Sequence, residues 1–194
     1  MNHQIRARFT KETLVVYQAY REAIGQAALE AGRFVPPFSL NRMTWIKPSF
    51  LWMMQRCGWG QKSGQEWVLA VHIRRVEFEK ALAQAVLTSP ESKVYKDAQE
   101  WSDLRQTSPV LIQWDPEYNL RGDKLNHRSL QVGLGRGIIQ NYADNWITKI
   151  EDLRPLVHKI RDLRQRGLWD QAQRHLPQEK PYPLPVEIAR RLGM

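Results

Sequence analysis

Cysteine is almost absent from this sequence, and its scarcity limits the chemistry that the chain can use. Cys57 is the only cysteine among 194 residues, so an intramolecular disulfide is excluded and a cysteine-based metal site nearly so. The five histidines also lack metal-ligand spacing such as His-Glu-x-x-His. We therefore predict no metal site. The single thiol indicates a reducing compartment, which we take to be the cytoplasm.

Long apolar runs are missing as well. The longest run of bulky apolar residues extends from Phe50 to Met54, which is far too short to cross a bilayer. The opening residues, MNHQIRARFT, lack the apolar segment of a signal peptide. The sequence therefore predicts no membrane partner.

Acidic residues are outnumbered by basic ones. The chain has 29 Lys and Arg against 20 Asp and Glu, which gives a formal net charge of +9. This balance favours a nucleotide or a nucleic acid as the partner, because basic side chains release counterions from polyanions and steer them electrostatically. Charge alone does not identify the partner.

Hydrophobic patterns predict a mixture of strands and helices. In the first part of the chain the predicted elements are a strand at 13–20, a helix at 23–31, a short strand at 44–46, a helix from 48 to about 56, a central strand at 67–73 and a helix at 76–87. Residues 89–103 are predicted to be loop. Strands at 110–114 and 129–134 follow, then helices at 139–153 and 156–163, an extended proline-rich strap at 175–185 and a short terminal helix.

These elements do not alternate as regularly as in a doubly wound sheet. We therefore predict an α+β fold with a mixed or antiparallel central sheet flanked by helices, and with a helical C-terminal third. A chain of this length suits one domain. The predicted organisation is a single α+β domain at 1–174, followed at 175–194 by the strap and the terminal helix.

Residues 42–60, RMTWIKPSFLWMMQRCGWG, concentrate aromatic and basic side chains. The helix within this stretch is apolar on every side, which predicts that it is buried. Its N-terminus follows a short strand and lies near Lys47, an arrangement that favours binding of a phosphate or carboxylate. A solvated polar rim around a buried helix explains the same flanking residues.

Several long motifs carry a resemblance to a known family. They are IRARF, VVYQAY, RMTWIKPSFLWMM with the following RCGWG, IQWDPE and HRSLQVGL. With these motifs the chain is identified as a member of the family called domain of unknown function 4291, over most of residues 4–153. Two positions depart from the family pattern: Cys57 replaces the usual serine and Tyr118 the usual arginine.

The order of elements also resembles ADP-ribosyltransferase-like folds. That resemblance makes NAD a candidate for the cofactor, which the sequence leaves unknown, and it implies an Arg or His on the first strand, a Ser, Thr or Tyr on the second and a Glu on a later strand. Counterparts in this chain are Arg6, Arg8 or Tyr17, then Thr44 or Ser49, and last Gln131, Glu117 or Glu151. Gln131 could orient a ribose, but it lacks the negative charge that stabilises an oxocarbenium-like transition state.

Three further patterns have a functional and a structural interpretation. GLGRG at 133–137 follows a strand and opens a helix, but a tight turn explains it better than a dinucleotide fingerprint. Asp115, Glu117, His127 and Arg128 would converge if their strands pair, although turn formation explains the carboxylates equally well. Basic side chains within 154–166 could form a nucleic-acid groove or a solvated helix face.

From these observations we favour an enzyme of the group-transfer type, ADP-ribosyl or phosphoryl, that binds a nucleotide in a basic and aromatic cleft. A non-catalytic nucleic-acid-binding module is the alternative. The predicted catalytic residues are Tyr17, Thr44, Glu117, His127 and Gln131. The predicted ligand-binding residues are Arg6, Arg8, Gln18, Arg42, Trp45, Lys47, Ser49 and Trp59, with Arg and Lys on the phosphates and Trp45 or Trp59 stacked on a base.

Overall fold

Two main sheets, joined through one backbone bridge, and a separate two-stranded sheet organise the chain. The computed structural model describes residues 2–194. Its strands are β1 (Asn2–His3), β2 (Arg6–Ala7), β3 (Thr13–Tyr20), β4 (Thr44–Ile46), β5 (Trp67–Arg74), β6 (Val86–Leu87), β7 (Val110–Tyr118), β8 (Lys124–Leu134), β9 (Ile147–Asp152) and β10 (Lys180–Pro181).

Helices flank these sheets. They are α1 (Glu22–Ala31), α2 (Phe50–Cys57), α3 (Arg75–Ala83), α4 (Ala98–Thr107), α5 (Arg136–Asn141), α6 (Arg154–Gln165), α7 (Trp169–Arg174) and α8 (Val186–Arg191), and a π-helical turn (Tyr142–Trp146) follows α5. The predicted α+β class is confirmed. Within residues 2–194 no helix is long and apolar enough to span a membrane.

The larger sheet is mixed, as predicted. Its strand order is β1-β8-β7-β6, and β4 pairs with the C-terminal part of β8. The β1/β8 and β6/β7 pairs are parallel, and the others are antiparallel. The smaller sheet, β3-β5-β9, is antiparallel with β5 in the centre, where the sequence predicted a central strand. Tyr17 N–H donates to Lys47 O at 2.7 Å and thereby joins the two sheets.

The smaller sheet separates two apolar clusters. Alternate residues of β3 face opposite sides, so Leu14 and Val16 enter one cluster while Val15 and Tyr17 enter the other. Helix α2 packs in the second cluster, which confirms its predicted burial. Its buried side chains are Phe50, Trp52, Met53, Met54 and Cys57, and burial of a large apolar side chain is worth about 1.5–3 kcal/mol.

Several segments differ from the sequence prediction. The helix predicted at 76–87 ends at Ala83, and Val86 and Leu87 pair with β7 as strand β6. The segment predicted as loop at 89–103 contains the start of α4, whose first turn Asp97 caps by accepting from Glu100 N–H at 2.9 Å. The helix predicted at 139–153 instead contains α5, the π-helical turn and β9. Apolar residues at 147 and 150 fit a helical spacing, but pairing of this segment with the central strand β5 determines its structure.

The C-terminal strap packs against the rest of the chain. Its strand β10 pairs with β2 in antiparallel fashion. Tyr182 and Leu192 are buried in the same cluster as Leu14 and Val16. Residues 175–194 therefore contribute side chains to the core of the preceding segment.

Candidate functional site

A cavity of about 650 Å³ opens where β3 ends beside β4 and α2. Side chains from these elements and from the loop after α1 line it. Five of the predicted site residues line this cavity: Gln18, Arg42, Thr44, Trp45 and Lys47. Because these residues come from two different sheets, the bridge between β3 and β4 brings the site together.

One side of the cavity is a buried network of polar side chains. The Gln18 amide group donates to the Tyr20 hydroxyl at 2.6 Å and to the Thr44 hydroxyl at 2.8 Å. Its carbonyl oxygen accepts from the Tyr142 hydroxyl at 2.5 Å. Gln18 is only 2% exposed. The three hydrogen bonds give both the donor and the acceptor group of its side chain a partner and hold the side chain in one orientation. Burial raises the pKa of both Tyr20 and Tyr142, so their hydroxyls stay protonated.

Lys47 lies at the inner end of the same cavity. Its side chain is 6% exposed. The amine donates to Trp45 O at 3.2 Å and lies 5.3 Å from the centre of the Trp52 ring. Burial and the positive charge of Arg56 lower the pKa of Lys47 to about 7, although Asp115 acts in the opposite direction. The Lys47 amine therefore changes its charge near neutral pH.

The outer part of the cavity is positively charged. Arg21, Arg42 and Arg56 all line it and are exposed. None of the side chains that line it, within residues 2–194, belongs to Asp or Glu. An anion that enters therefore meets three guanidinium groups, and the Lys47 amine lies further in.

Trp45 supplies the aromatic surface of the cavity, and a glycine of GLGRG makes room for it. A Cβ at Gly133 would lie 3.0 Å from the Trp45 ring and 2.7 Å from the Met43 sulfur. Gly133 pairs with Trp45 in the β4/β8 ladder, which brings the ring across the glycine. The first glycine of the motif is thus explained by indole packing and needs no bound phosphate.

Gln131 lies on the same face of the larger sheet as Lys47. The β4/β8 ladder pairs Ile46 with Val132, so side-chain alternation places Lys47 and Gln131 on the opposite face, next to each other. Gln131 donates to an Asp115 oxygen at 2.7 Å, and Gln113 donates to the other at 2.9 Å. The two amides hold the carboxylate whose charge acts on Lys47. Asp115 and Gln113 also line a second, polar cavity of about 430 Å³.

The N-terminus of α2 is already occupied by a carboxyl group of the chain itself. Phe50 N–H donates to a Glu179 carboxylate oxygen at 2.8 Å. Ser49 caps the helix by accepting from Trp52 N–H at 3.2 Å, and Arg6 donates to the Glu179 main-chain oxygen at 2.8 Å. Burial, followed by the charge of Glu117, raises the pKa of Glu179 to about 8. The helix end that the sequence predicted for an external phosphate is therefore occupied by the strap.

Ser49, Arg6 and Tyr17 consequently lie around Glu179 and do not line the cavity. Tyr17 is buried against Phe50, with ring centres 5.5 Å apart. Its hydroxyl is near the Glu179 carboxyl group without a well-aligned hydrogen bond. Burial raises the pKa of Tyr17. These three residues have structural partners in place of the predicted ligand.

The remaining five predicted residues, Arg8, Trp59, Glu117, His127 and Gln131, also lie outside the cavity. Trp59 is buried beneath Arg164, whose guanidinium lies 4.2 Å from the ring centre. Arg8 is exposed, and its charge acts on Tyr17. Glu117 is buried and accepts from Tyr118 N–H at 2.9 Å.

Glu117 and His127 do not bond to each other. Strands β7 and β8 pair as predicted, yet the structure of residues 2–194 has no hydrogen bond or ion pair between these two side chains. The Nε2 atom of His127 is buried without a hydrogen-bond partner in the described chain. Arg128 donates to Trp114 O at 2.9 Å. No group of His, Cys, Asp and Glu in the described residues is arranged to hold a metal ion.

The arginines of α6 are used within the molecule. Arg154 pairs with Asp152 at 2.7 Å and stacks over Trp67. Arg161 donates to Trp59 O, Arg164 to Leu120 O and Arg166 to an Asp162 oxygen, all within 3.1 Å. These contacts favour the interpretation of α6 as a structural helix with a solvated face.

Sequence reasoning missed several residues of this region, among them Tyr20, Arg21 and Arg56, which line the cavity. Tyr142 contributes a hydroxyl to the Gln18 network from a π-helical turn, for which the sequence has no clear signal. Glu179 reaches α2 from 129 positions away, so no local pattern connects them. The position of Tyr20 beside Gln18 could have been predicted, because side-chain alternation along β3 places both residues on the same face of the strand.

Comparison with known proteins gives one match. The sequence pattern of the family described as "Domain of unknown function (DUF4291)" matches residues 4–182, so the resemblance seen in residues 4–153 extends through β10. No curated protein matches the chain at a significant level. The comparisons give no support to the resemblance to ADP-ribosyltransferase-like folds.

Proposed function

The chain belongs to this family of unknown function, and we propose that it binds a phosphorylated, nucleotide-type ligand in the 650 Å³ cavity and transfers a group from it. One observation carries the proposal: Arg21, Arg42, Lys47 and Arg56 line a cavity that no carboxylate of the described chain lines. A cluster of cations around a hollow focuses the field on an anion, and the volume suits a small organic ligand.

The positions of the lining side chains indicate how the ligand would be oriented in the cavity. Arg42 and Arg56 are exposed at the entrance, where guanidinium groups would form paired hydrogen bonds with phosphate oxygens. The half-buried Trp45 ring offers a stacking surface for a base, a contact worth about 1–3 kcal/mol. Thr44 and Tyr20 present hydroxyl groups beside them, suited to a ribose.

The type of group transfer follows from the position of the carboxylates. ADP-ribosyl transfer from NAD would need a carboxylate near the ribose, and the only one whose charge acts on Lys47 is Asp115, held by Gln131. Asp115 lines the second cavity, and no carboxylate of the described chain lines this one, so NAD fits the cavity less well than a phosphoryl donor. Phosphoryl transfer needs chiefly cations around the phosphates, which the cavity supplies. We place this activity in the cytoplasm, where such ligands are available.

Binding is tested by calorimetry with NAD, ADP, AMP and a short single-stranded RNA. The double variant R42A/R56A is expected to weaken binding of ADP at least about tenfold, because two charged hydrogen-bond donors are lost. The matched control is R174A/R190A, which removes two exposed arginines outside the cavity lining. Equal weakening in both double variants would mean a general effect of net charge.

The same experiment separates the two candidate functions. A nucleotide that binds in the cavity should stabilise the protein by about 2.7 kcal/mol at 100 times its dissociation constant. Binding of RNA alone, with a steep dependence on salt, would favour the nucleic-acid module. Absence of binding to every one of these ligands would contradict the proposal.

A further inference from the structure

Lys47 differs from every other lysine of the chain. It is 6% exposed, whereas each of the other nine lysines is exposed. No carboxylate of residues 2–194 forms an ion pair with it. Because an unpaired charge is costly to bury, such a lysine is stabilised in its neutral form.

The surroundings of Lys47 favour the unprotonated form of its amine. One N–H bond is directed at Trp45 O, 3.2 Å from the nitrogen, and the side chain lies along the edge of the cavity beside Met53 and Arg56. The charged groups that act on it are Arg56 from α2, Asp115 from β7 and, weakly, Cys57. Burial and Arg56 outweigh Asp115 and lower the pKa of Lys47 to about 7. The Lys47 amine is therefore unprotonated at neutral pH far more often than the amine of an exposed lysine.

We infer that Lys47 is a nucleophile that forms an imine with the carbonyl carbon of a phosphorylated aldehyde or ketone in the cavity. The nitrogen lone pair adds to the carbonyl carbon and gives a carbinolamine. The carbon–oxygen bond then breaks, and the oxygen leaves as water with the two protons that the nitrogen loses. The step needs no oxidant or reductant. Buried lysines of lowered pKa are suited to this reaction.

The cavity would hold such a ligand by its other end. Arg42 and Arg56 at the entrance would bind its phosphate, as in the proposed function, on which this part of the inference rests. The carbonyl carbon would then lie further in, near Lys47. Asp115 lies close enough for its charge to act on the Lys47 amine, and it can accept and return a proton during the loss of water.

Chemical labelling tests the inference. The protein is treated at pH 7 with pyridoxal 5′-phosphate, an aldehyde with a phosphate group, and the imine is reduced with borohydride before peptide mapping. Lys47 is expected to be labelled at least about tenfold faster than Lys62 or Lys124, since a solvated lysine with a pKa near 10.4 is almost fully protonated at this pH. Labelling of Lys47 no faster than of these exposed lysines would overturn the inference.

Variants and a competitor separate this inference from the proposed function. K47R keeps a basic side chain that forms no imine, so the fast label should vanish, whereas K62R should leave the label unchanged. Saturating AMP, which has no free carbonyl group, should slow the labelling of Lys47. If AMP neither binds nor protects, yet unphosphorylated pyridoxal still labels Lys47 first, the nucleotide proposal fails and the nucleophile stands.

Discussion

At the scale of single residues, the cavity depends on close packing around β4 and β8. The Trp45 ring can lie across the larger sheet only because residue 133 has no side chain. Beside it, Gln18 is fixed by three hydrogen bonds from or to Tyr20, Thr44 and Tyr142. Both features hold groups in place before any ligand arrives, which lowers the entropic cost of binding.

The substitution Gly133→Ala tests the packing of Trp45. The new methyl group would lie 2.7 Å from the Met43 sulfur and 3.0 Å from the indole, so the ring must move. We expect the free energy of unfolding to fall by about 1–3 kcal/mol and ADP binding to weaken. Urea unfolding and calorimetry measure the two effects.

Gly137→Ala is the control for this substitution. Gly137 lies in α5, and a Cβ there would be 3.5 Å from the nearest neighbouring atom, an ordinary contact. Alanine within a helix is favoured over glycine by about 0.5–1 kcal/mol, so this variant should be as stable as the wild type or more so. If the two variants had the same free energy of unfolding and bound ADP equally well, Gly133 would not be needed to accommodate Trp45.

At the scale of elements, the strap completes helix α2. The first backbone N–H groups of a helix have no partner within it, and the Glu179 carboxyl group binds that of Phe50. The helix dipole favours the ionised carboxylate. Burial and Glu117 oppose ionisation more strongly, and the pKa of Glu179 rises to about 8.

Glu179→Gln should therefore change how stability depends on pH. Glu179 has an ordinary pKa of 4.5 when unfolded and about 8 when folded, so between these values the folded state binds more protons. The contribution of Glu179 to the free energy of unfolding of the wild type thus falls as the pH rises from 5 to 8. Gln keeps an oxygen that accepts from Phe50 N–H and does not titrate.

The two proteins are compared by urea unfolding at several pH values. The stability of the variant relative to the wild type should increase between pH 5 and pH 8, by on the order of 2–4 kcal/mol. E187Q, in an exposed position of α8, should follow the wild-type profile. Parallel profiles for the wild type and E179Q would show that Glu179 does not titrate in this range.

The sequence predicted best those elements whose own pattern of apolar and polar residues is enough to determine their structure. The β-branched run of β3 and the apolar residues of α2, between Pro48 and Gly58, needed no distant partner. Strand β9 did need one, because Ile147 and Ile150 fit a helix equally well until β5 lies beside them. Short strands such as β2 and β10 exist only through their mutual pairing.

The same distinction applies to the site. Arg42, Thr44, Trp45 and Lys47 are close in sequence, and their shared cavity could be anticipated from one stretch. The wrong assignment of the anion position at Ser49 arose because Glu179 comes from a distant segment. The predicted stacking of a base on Trp59 fails for a similar reason. Arg164, which comes from the distant helix α6, covers that ring.

At the scale of the whole molecule, the two ends of the described chain meet on the larger sheet. Strand β1 pairs with β8, and the His3 ring stacks on Trp114 with ring centres 4.4 Å apart. The Trp114 indole N–H donates to Leu192 O at 2.8 Å, and His3 Nδ1 donates to Gly193 O at 2.9 Å. The C-terminal segment therefore stabilises the sheet that carries Lys47.

Leu192→Ala tests this role of the C-terminal segment. Leu192 is fully buried, and its truncation should lower the free energy of unfolding by about 2–5 kcal/mol through lost contacts and the cavity left behind. Val186→Ala in the same segment removes a side chain that is 68% exposed and should change stability by less than about 0.5 kcal/mol. Thermal and urea unfolding of both variants give the comparison.

A shortened chain that ends at Arg174 extends the test to the whole segment. It lacks Tyr182, Leu192 and the β10/β2 pairing, a combined loss comparable to the 5–15 kcal/mol that holds a typical domain together. We expect it to show no cooperative unfolding transition. If residues 1–174 alone unfolded cooperatively at the wild-type temperature, they would form an independent domain, and the strap would serve the α2 N-terminus without supporting the fold.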